Sequence, residues 1–304
     1  MNKTLTREIL KKVRQVEVRT RRMVDDTLAG SYHSVFKGRG MNFDEVREYV
    51  PGDEIRTIDW NVTARTGVPH VKKFTEEREL TIMLMIDISG SGSFGSGIQS
   101  KREMMAELGS VLAFSAVRNN DKVGLILFSD FVELFIPPAK GRSHILRVIR
   151  EILFFQPQGK GTNIGEALDF VNRVAKRKCV TFLISDFCLP GDFNDALDHI
   201  SPKLVITGRH HDLITVMVTD PREHTLPDVG WITLEDAETG EQVILNTADS
   251  WTRKAYAGLA EDRSQQFSRT VKKAGIDCLE LSTDKPYLHA LIRFFGSRKK
   301  RLAR

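Results

Sequence analysis

The stretch Leu80–Ser93, LTIMLMIDISGSGS, decides the fold of this chain. Its first seven residues are apolar except for one threonine, and such a run between polar residues is typical of a strand buried on both faces of a parallel sheet. The run ends at a carboxylate, Asp87, and hydroxyls follow at alternate positions, Ser89 and Ser91. The carboxyl ends of strands form the ligand-binding edge of open α/β sheets. Oxygen ligands at such an edge suit a hard cation such as Mg2+.

Two later segments can join this edge. The glycine-flanked loop Gly159–Asn163, GKGTN, precedes a helical run, and the apolar strand Cys179–Ser185 is followed directly by Asp186. We expect this strand to be the parallel neighbour of Leu80–Asp87, in the middle of the sheet, with both terminal carboxylates at the same edge. The hypothesis also requires an Asp87 that solvent can reach. The predicted metal ligands are Asp87, Ser89, Ser91, Thr162 and Asp186.

The composition of the 304 residues is that of an ordinary soluble protein, with 41% apolar and 28% charged residues. No apolar run approaches the roughly 20 residues of a membrane helix, and the N-terminus lacks the apolar core of a signal peptide. These features predict a cytoplasmic protein. The formal net charge is +5, and basic residues cluster near both ends, as in Arg298-Lys299-Lys300-Arg301. Because no nucleic-acid motif or aromatic platform accompanies these clusters, we expect no nucleic-acid partner.

The chain divides into an N-terminal segment, residues 1–79, and a larger α/β unit, residues 80–304. Leu5–Leu28 has the periodicity of a helix with a strongly charged face. This helix either packs on its own domain or serves as a docking or membrane-surface helix, which would place the protein at the periphery of the inner membrane. Gly40–Arg65 is rich in turn residues and predicts a small β-rich unit with Trp60 mostly buried. Its charges should pair if they are desolvated. We expect at least one of Arg47, Arg56 and Arg65 to pair with Asp53 or Asp59.

From Leu80 onwards, strands alternate with helices, and this order favours a mostly parallel sheet with helices on both faces. Trp231–Leu245 interrupts the alternation with two alternating runs around a Glu-Thr-Gly turn. We interpret residues 229–247 as a hairpin that leaves the main sheet.

Several motifs resemble those of a known family. The order Asp-x-Ser-x-Ser, Thr and Asp is similar to the metal-ion-dependent adhesion site (MIDAS) of von Willebrand factor A domains. The pattern GxxFxxxRxYxPGDxxRxIDWxxxAR at 40–65 resembles the signature of the bacterial "domain of unknown function 58" family. The likeness continues through VGLILFSD, FIPPAKGR, LISDF and DPREHTLPDVG, which begin at Val123, Phe135, Leu183 and Asp220. Many members are encoded near AAA+ ATPases of the MoxR type.

The resemblance implies a von Willebrand A-like fold and a function in protein–protein interaction. Ser89, Ser91 and Thr162 would bind Mg2+ (or Mn2+ or Ca2+) directly, and the two aspartates would act largely through water. The ion would then bind an Asp or Glu of a protein partner. The resemblance also implies that this partner is an AAA+ ATPase or its client, with the chain as accessory or adaptor.

Other chemistries fit the same residues less well. Gly90–Gly95 has the spacing GxGxxG of dinucleotide-binding loops, but neighbouring carboxylates would repel a pyrophosphate, and the next strand ends too late for the ribose-binding acid. An aspartyl phosphohydrolase using Asp87 is the main enzyme alternative, yet such enzymes usually carry a second acid where Ser89 stands. No catalytic base is evident, so we expect a binding protein. A membrane-surface or nucleic-acid scaffold is the remaining alternative.

Overall fold

The structure is a computed structural model that describes residues 42–75, 79–97 and 99–302. The helix predicted at Leu5–Leu28 lies outside the described residues. Within the described ranges, no helix is both long enough and apolar enough to cross a membrane.

A six-stranded sheet forms the centre of the fold. Its strands are β3 (Thr81–Asp87), β4 (Lys122–Phe128), β5 (Val132–Ala139), β6 (Val180–Ser185), β7 (Asp212–Thr219) and β10 (Asp277–Ser282). Their order across the sheet is β10-β7-β6-β3-β4-β5. All neighbouring pairs are parallel except β4 and β5, which form an antiparallel hairpin at one edge. The predicted α/β class with a mostly parallel sheet is therefore confirmed.

Helices cover both faces of this sheet, as the alternation of elements predicts. On one face, α2 (Lys101–Arg118), α3 (Arg142–Phe154) and α8 (Tyr287–Leu302) contribute to one apolar core. On the other face, α4 (Ile164–Val174), α5 (Phe193–His210) and α7 (Ser250–Lys273) contribute to a second core. The short helix α6 (Pro221–His224) follows β7.

The apolar run that precedes Asp87 forms β3, one of the two central strands. Ile82, Leu84 and Ile86 point into one core, whereas Met83 and Met85 point into the other. This division explains why the sequence does not alternate between apolar and polar residues. β3 pairs in parallel with β6, so the predicted adjacency of the two apolar strands is correct.

The N-terminal described segment is an antiparallel pair, β1 (Asn42–Glu48) and β2 (His70–Thr75), joined by a stretch that contains helix α1 (Trp60–Thr66). The predicted ion pair forms between Arg47 and Asp53, at 2.7 and 2.8 Å. The predicted burial of Trp60 is wrong, since 67% of this residue is exposed. Asp59 is the N-cap of α1, because its carboxylate accepts hydrogen bonds from the amides of Asn61 and Val62. The helix therefore begins at Trp60, and none of its residues is buried.

The predicted hairpin forms β8 (Trp231–Glu235) and β9 (Gln242–Asn246), a two-stranded sheet separate from the central one. One face of the hairpin is exposed, with Trp231 at 72% and Ile244 at 66% exposure. The turn between β8 and β9 lies at the carboxyl end of the central sheet, where it contacts Thr162 and Gly90.

Candidate metal centre

Asp87 ends β3 and is held by two hydrogen bonds. The Ser89 amide donates to its Oδ1 at 2.9 Å, and the Ser185 hydroxyl donates to its Oδ2 at 2.6 Å. Ser185 is the last residue of the neighbouring strand β6, so sheet register alone brings the two side chains together. Only 2% of Asp87 is exposed, so the solvent access that the hypothesis required of this carboxylate is absent. This finding counts against direct use of Asp87 both as a metal ligand open to solvent and as a nucleophile. The side chain lies between two central strands, at a sheet end that the chain itself covers.

The two serine hydroxyls of the DISGS stretch lie side by side. Ser89 and Ser91 have their Oγ atoms 3.1 Å apart. The turn that aligns them begins with the hydrogen bond from the Ser89 amide to Asp87 and continues as a 3-10 turn at Gly90–Ser93. Such local bonding of an Asp side chain to the backbone two residues ahead is a common way to shape a tight turn.

The loop that carries Thr162 is fixed to the same edge by backbone contacts. The Gly90 amide donates to the carbonyl of Lys160 at 2.8 Å, which joins this loop to the serine turn. The Asp130 carboxylate, which follows β4, accepts hydrogen bonds from the amides of Lys160 and Gly161, both at 3.0 Å. Thr162 itself is buried and presents its hydroxyl toward the site.

Asp186 follows β6 and is paired with a lysine that the sequence analysis did not identify. Lys101 Nζ donates to Asp186 Oδ2 at 2.6 Å and also donates to Glu223, and only 1% of the lysine is exposed. Ligand atoms of Asp186, Cys188 and Glu223 lie within 4.8 Å of one another, as in a metal cluster. The ammonium already serves as a cation for both carboxylates of this group.

A sixth oxygen-bearing side chain reaches the site from the β8–β9 turn. The Thr162 hydroxyl donates to Glu238 Oε1 at 2.7 Å, and Ser91 is near enough to act to lower the pKa of the Glu238 carboxyl. The residues on either side of Glu238 are exposed, whereas Glu238 is half-buried, because its side chain is directed into the site. The five predicted residues thus converge, and Glu238 joins them.

Comparison with known proteins identifies the family. Residues 45–266 match the family described as "Protein of unknown function DUF58". The chain is a DUF58 protein. An uncharacterized protein of Mycobacterium tuberculosis is 31% identical over 290 residues, covering 95% of this chain and 89% of the relative. The family assignment predicted from the Gly40–Arg65 signature is therefore confirmed.

Solved structures resemble the DUF58 protein more distantly. A conserved hypothetical protein, BatB of Bacteroides thetaiotaomicron, is 17% identical with a TM-score of 0.47, over 73% of this chain and 99% of that one. The von Willebrand factor A domain of SpRpn10 is 11% identical with a TM-score of 0.40, over 71% of this chain and 94% of that one.

The electrostatics of this DUF58 site are dominated by carboxylates. Among the described residues, Lys101 pairs with Asp186 and Glu223, and the charge of Asp186 in turn acts on Asp87 and Glu238. Burial, with the charge of Asp186 added, raises the pKa of Asp87 to about 7. Burial likewise raises the pKa of Glu238, against hydrogen bonds from Thr162 and Ser91. Burial acts to lower the pKa of Lys101, but the neighbouring carboxylates outweigh it and raise that pKa.

The donor set fits a hard divalent cation. Hydroxyl and carboxylate oxygens are the ligands that Mg2+ prefers, and an octahedron with bonds of about 2.0–2.1 Å has edges of about 2.9 Å. The separations of Ser89 from Ser91 (3.1 Å) and of Thr162 from Glu238 (2.7 Å) are close to such edges. These are also ordinary hydrogen-bond distances, so it is the chemistry of the donors, rather than their spacing, that fits the ion.

Sequence reasoning missed Lys101, Glu223 and Glu238. Glu223 belongs to the DPREH stretch that follows β7, a strand whose carboxyl end is at the same edge, so sheet topology offered a signal for it. Lys101 is in the first turn of α2, where a lysine is normally solvated. Glu238 lies in a predicted turn. Local sequence patterns predict the turn, but they do not predict that it packs against the loops of Gly90 and Thr162.

Proposed function

We propose that this DUF58 protein is a divalent-metal-dependent protein–protein interaction module, an accessory or adaptor of a MoxR-type AAA+ ATPase. The observation that carries the metal dependence is the convergence of hydroxyls and carboxylates from four segments on one sheet edge. Among the described residues, Lys101 pairs with two of the carboxyl groups at this edge, Asp186 and Glu223, and a divalent cation would offset the negative charge of Asp87 and Glu238. The ATPase partner rests on the family resemblance.

The roles of the residues follow from charge. Ser89, Ser91 and Thr162 would hold the ion with neutral hydroxyls, which leave its charge only partly offset. Asp87 and Asp186 would supply negative charge from behind the hydroxyls, largely through water. A bound Mg2+ supplies an electrophilic centre that can accept a carboxylate from a partner protein.

The contacts of Asp87 favour binding over catalysis. Both of its oxygens accept hydrogen bonds from within the chain, and the residue is buried. A carboxylate that attacks phosphorus needs a free oxygen in line with the bond that breaks. Burial of Asp87 counts against both hypotheses. The interaction module tolerates it because Asp87 would act there through water behind the hydroxyls, whereas a phosphohydrolase needs the carboxylate itself to reach the substrate. We therefore place the phosphohydrolase hypothesis second to the interaction module.

The C-terminal basic run offers little support for a nucleic-acid or membrane scaffold. Arg298 pairs with Asp212 and Asp277, and Arg301 pairs with Asp277 at 2.6 Å. Part of that positive charge is thus used inside the fold. We propose a cytoplasmic location, where an AAA+ ATPase would be met, with membrane contact limited to the basic N-terminal segment.

Two measurements on the same proteins test this function. Calorimetric titration with Mg2+ or Mn2+ reports metal binding, and capture of the purified MoxR-type ATPase from the same genome, with and without EDTA, reports partner binding. Asp87→Ala should abolish both, and Thr162→Ala should weaken both. Asp169→Ala is the matched control, because Asp169 is an exposed carboxylate on α4, paired with Lys203.

Circular dichroism must show that each variant is folded. Capture of the ATPase by folded Asp87→Ala in EDTA, at the level of the parent protein, would show that the interaction does not use a metal bridge. Loss of metal binding in Asp169→Ala would show that the titration reports general surface charge rather than this site.

A further inference from the structure

The β8–β9 turn is seated on the candidate metal centre by its backbone as well as by a side chain. A Cβ atom placed on Gly90 would lie 2.6 Å from the carbonyl oxygen of Ala237 and 3.3 Å from that of Lys160. No side chain fits in that space. The turn therefore approaches the serine loop to within backbone contact, at a position where only glycine is accommodated.

The turn is also shaped to present one side chain. The Asp236 carboxylate accepts hydrogen bonds from the amides of Glu238 and Thr239, both at 2.8 Å. Gly240 has φ +76°, a left-handed conformation that glycine adopts without strain, and its amide donates to the carbonyl of Asp236. The position of Glu238 is thus fixed by the turn before the side chain makes any contact with the site.

Glu238 contacts the hydroxyls that the proposed function assigns to the ion. Its Oε1 is 2.7 Å from Thr162 Oγ1, and Ser91, the neighbour of the serine-turn residue Gly90 that the Ala237 carbonyl approaches, lies beside it. A carboxylate that is hydrogen-bonded to one proposed ligand of an ion and lies beside another is within reach of the ion itself. The partner in the proposed function is a carboxylate of the same chemical class, and it would need the same place.

We propose that Glu238 is the chain's own ligand for the metal ion, and that it takes the coordination position that a partner's Asp or Glu would otherwise fill. This inference rests on the proposed function and adds its regulation. With Glu238 bound, the ion's charge is offset within the chain, and the site is closed. A partner must lift the turn, or replace its carboxylate, to engage the ion.

The structure of the hairpin is compatible with such a displacement. Within the part of the chain that the structure describes, its strands pair only with each other, and one of its faces is exposed. Its base is fixed, because Thr247 is buried and donates to the carbonyl of Gly230 at 2.7 Å. The tip can therefore leave the site while the base stays attached to the fold.

Mn2+ binding measured by water-proton relaxation tests this inference without a partner. Full-length protein, Glu238→Ala and Glu241→Ala are titrated with MnCl2. Glu241→Ala is the matched control, since it removes an exposed carboxylate from the same turn. Glu238→Ala should weaken Mn2+ binding by about tenfold or more, because even residues that only orient metal ligands typically contribute about 10–100-fold. It should also raise the relaxation enhancement per bound ion, because water replaces the carboxylate.

Acetate then serves as the probe for a partner's carboxylate. It should lower the relaxation enhancement of Mn2+-loaded Glu238→Ala, where a position is open, and leave the parent and Glu241→Ala unchanged. Glu238→Gln provides a second variant that keeps an acceptor for Thr162 but ligates poorly, should the alanine variant fail to fold.

The outcomes separate the two proposals. Equal Mn2+ affinity and equal relaxation in parent and Glu238→Ala would overturn the role of Glu238 and leave the metal-dependent module standing. Tight Mn2+ binding only after removal of Glu238 would also overturn it, because Glu238 would then exclude the ion rather than ligate it. Absence of Mn2+ binding in every protein would overturn the proposed function, and this inference with it.

Discussion

Replacing Asp87 by Asn should stabilise the metal-free protein at pH 8 while it removes metal binding. The amide is nearly isosteric with the carboxylate. Its oxygen can accept from the Ser89 amide, and its NH2 group can donate to the Ser185 hydroxyl, which has a free lone pair. The variant therefore keeps the local contacts and removes the buried charge.

The magnitude follows from the pKa of Asp87, which burial and the charge of Asp186 raise from 3.8 to about 7. Each tenfold change in an ionisation constant corresponds to about 1.4 kcal/mol, so ionising this buried group costs about 4 kcal/mol. Imperfect replacement of one hydrogen bond costs about 1 kcal/mol. The net gain of Asp87→Asn at pH 8 is thus about 3 kcal/mol.

The sign of the effect depends on pH. Between pH 4 and pH 7 the folded protein holds a proton on Asp87 that the unfolded chain has lost, so the stability of the parent falls as pH rises. Below pH 4 both states are protonated, and the advantage of the variant disappears. Added Mg2+ should stabilise the parent more at pH 8 than at pH 5.5, since ion binding must displace that proton.

Urea unfolding in EDTA at pH 4, 5.5, 7 and 8 measures this dependence, with Asp169→Asn as the control for an exposed carboxylate. The free energy of unfolding of Asp87→Asn should exceed that of the parent progressively from pH 4 to pH 8. An Asp87→Asn protein that is less stable than the parent at pH 8 in EDTA would refute the inference that the ionised Asp87 carboxylate destabilises the folded protein.

Two further variants test the surroundings of the site. Lys101→Met should lower the free energy of unfolding in EDTA by roughly 3–5 kcal/mol, because it leaves the buried carboxylate of Asp186 without its ammonium; Mg2+ should restore part of this loss, and unchanged denaturant stability would contradict the pairing. Gly90→Ala should push the Ala237 carbonyl away and weaken Mn2+ binding, whereas Gly97→Ala, at a place that the described residues leave open, should not. Equal Mn2+ affinities of the two variants in calorimetry would show that metal binding does not depend on the contact between Gly90 and the turn.

The sequence predicts best those elements in which the pattern of apolar residues directly indicates which side chains are buried. β3 and β6 are apolar along their whole length because they are central, and this pattern gave both the strands and their adjacency. The hairpin was predictable from alternating residues around a Gly-containing turn. In each case a local periodicity carries the structural information.

The residues that escaped prediction depend on contacts between distant segments. Lys101 and Glu223 meet across 122 positions of the chain, and Thr162 and Glu238 meet across 76. No periodicity encodes such a meeting. The wrong expectation for Trp60 has another cause, since a large aromatic ring is often partly exposed when its own segment is too small to enclose it.

Self-occupation by Glu238 would give a carboxylate-binding site the selectivity that its chemistry lacks. Carboxylates are present on every protein surface, and an open cation would bind many of them weakly. A carboxylate tethered within the same fold competes at an effective concentration of about millimolar or more, as short tethers do. A single acid from a random surface cannot exceed this, so a true partner must make further contacts that lift the turn. Specificity would then come from those contacts, and the metal would bind the partner's carboxylate only after they have formed.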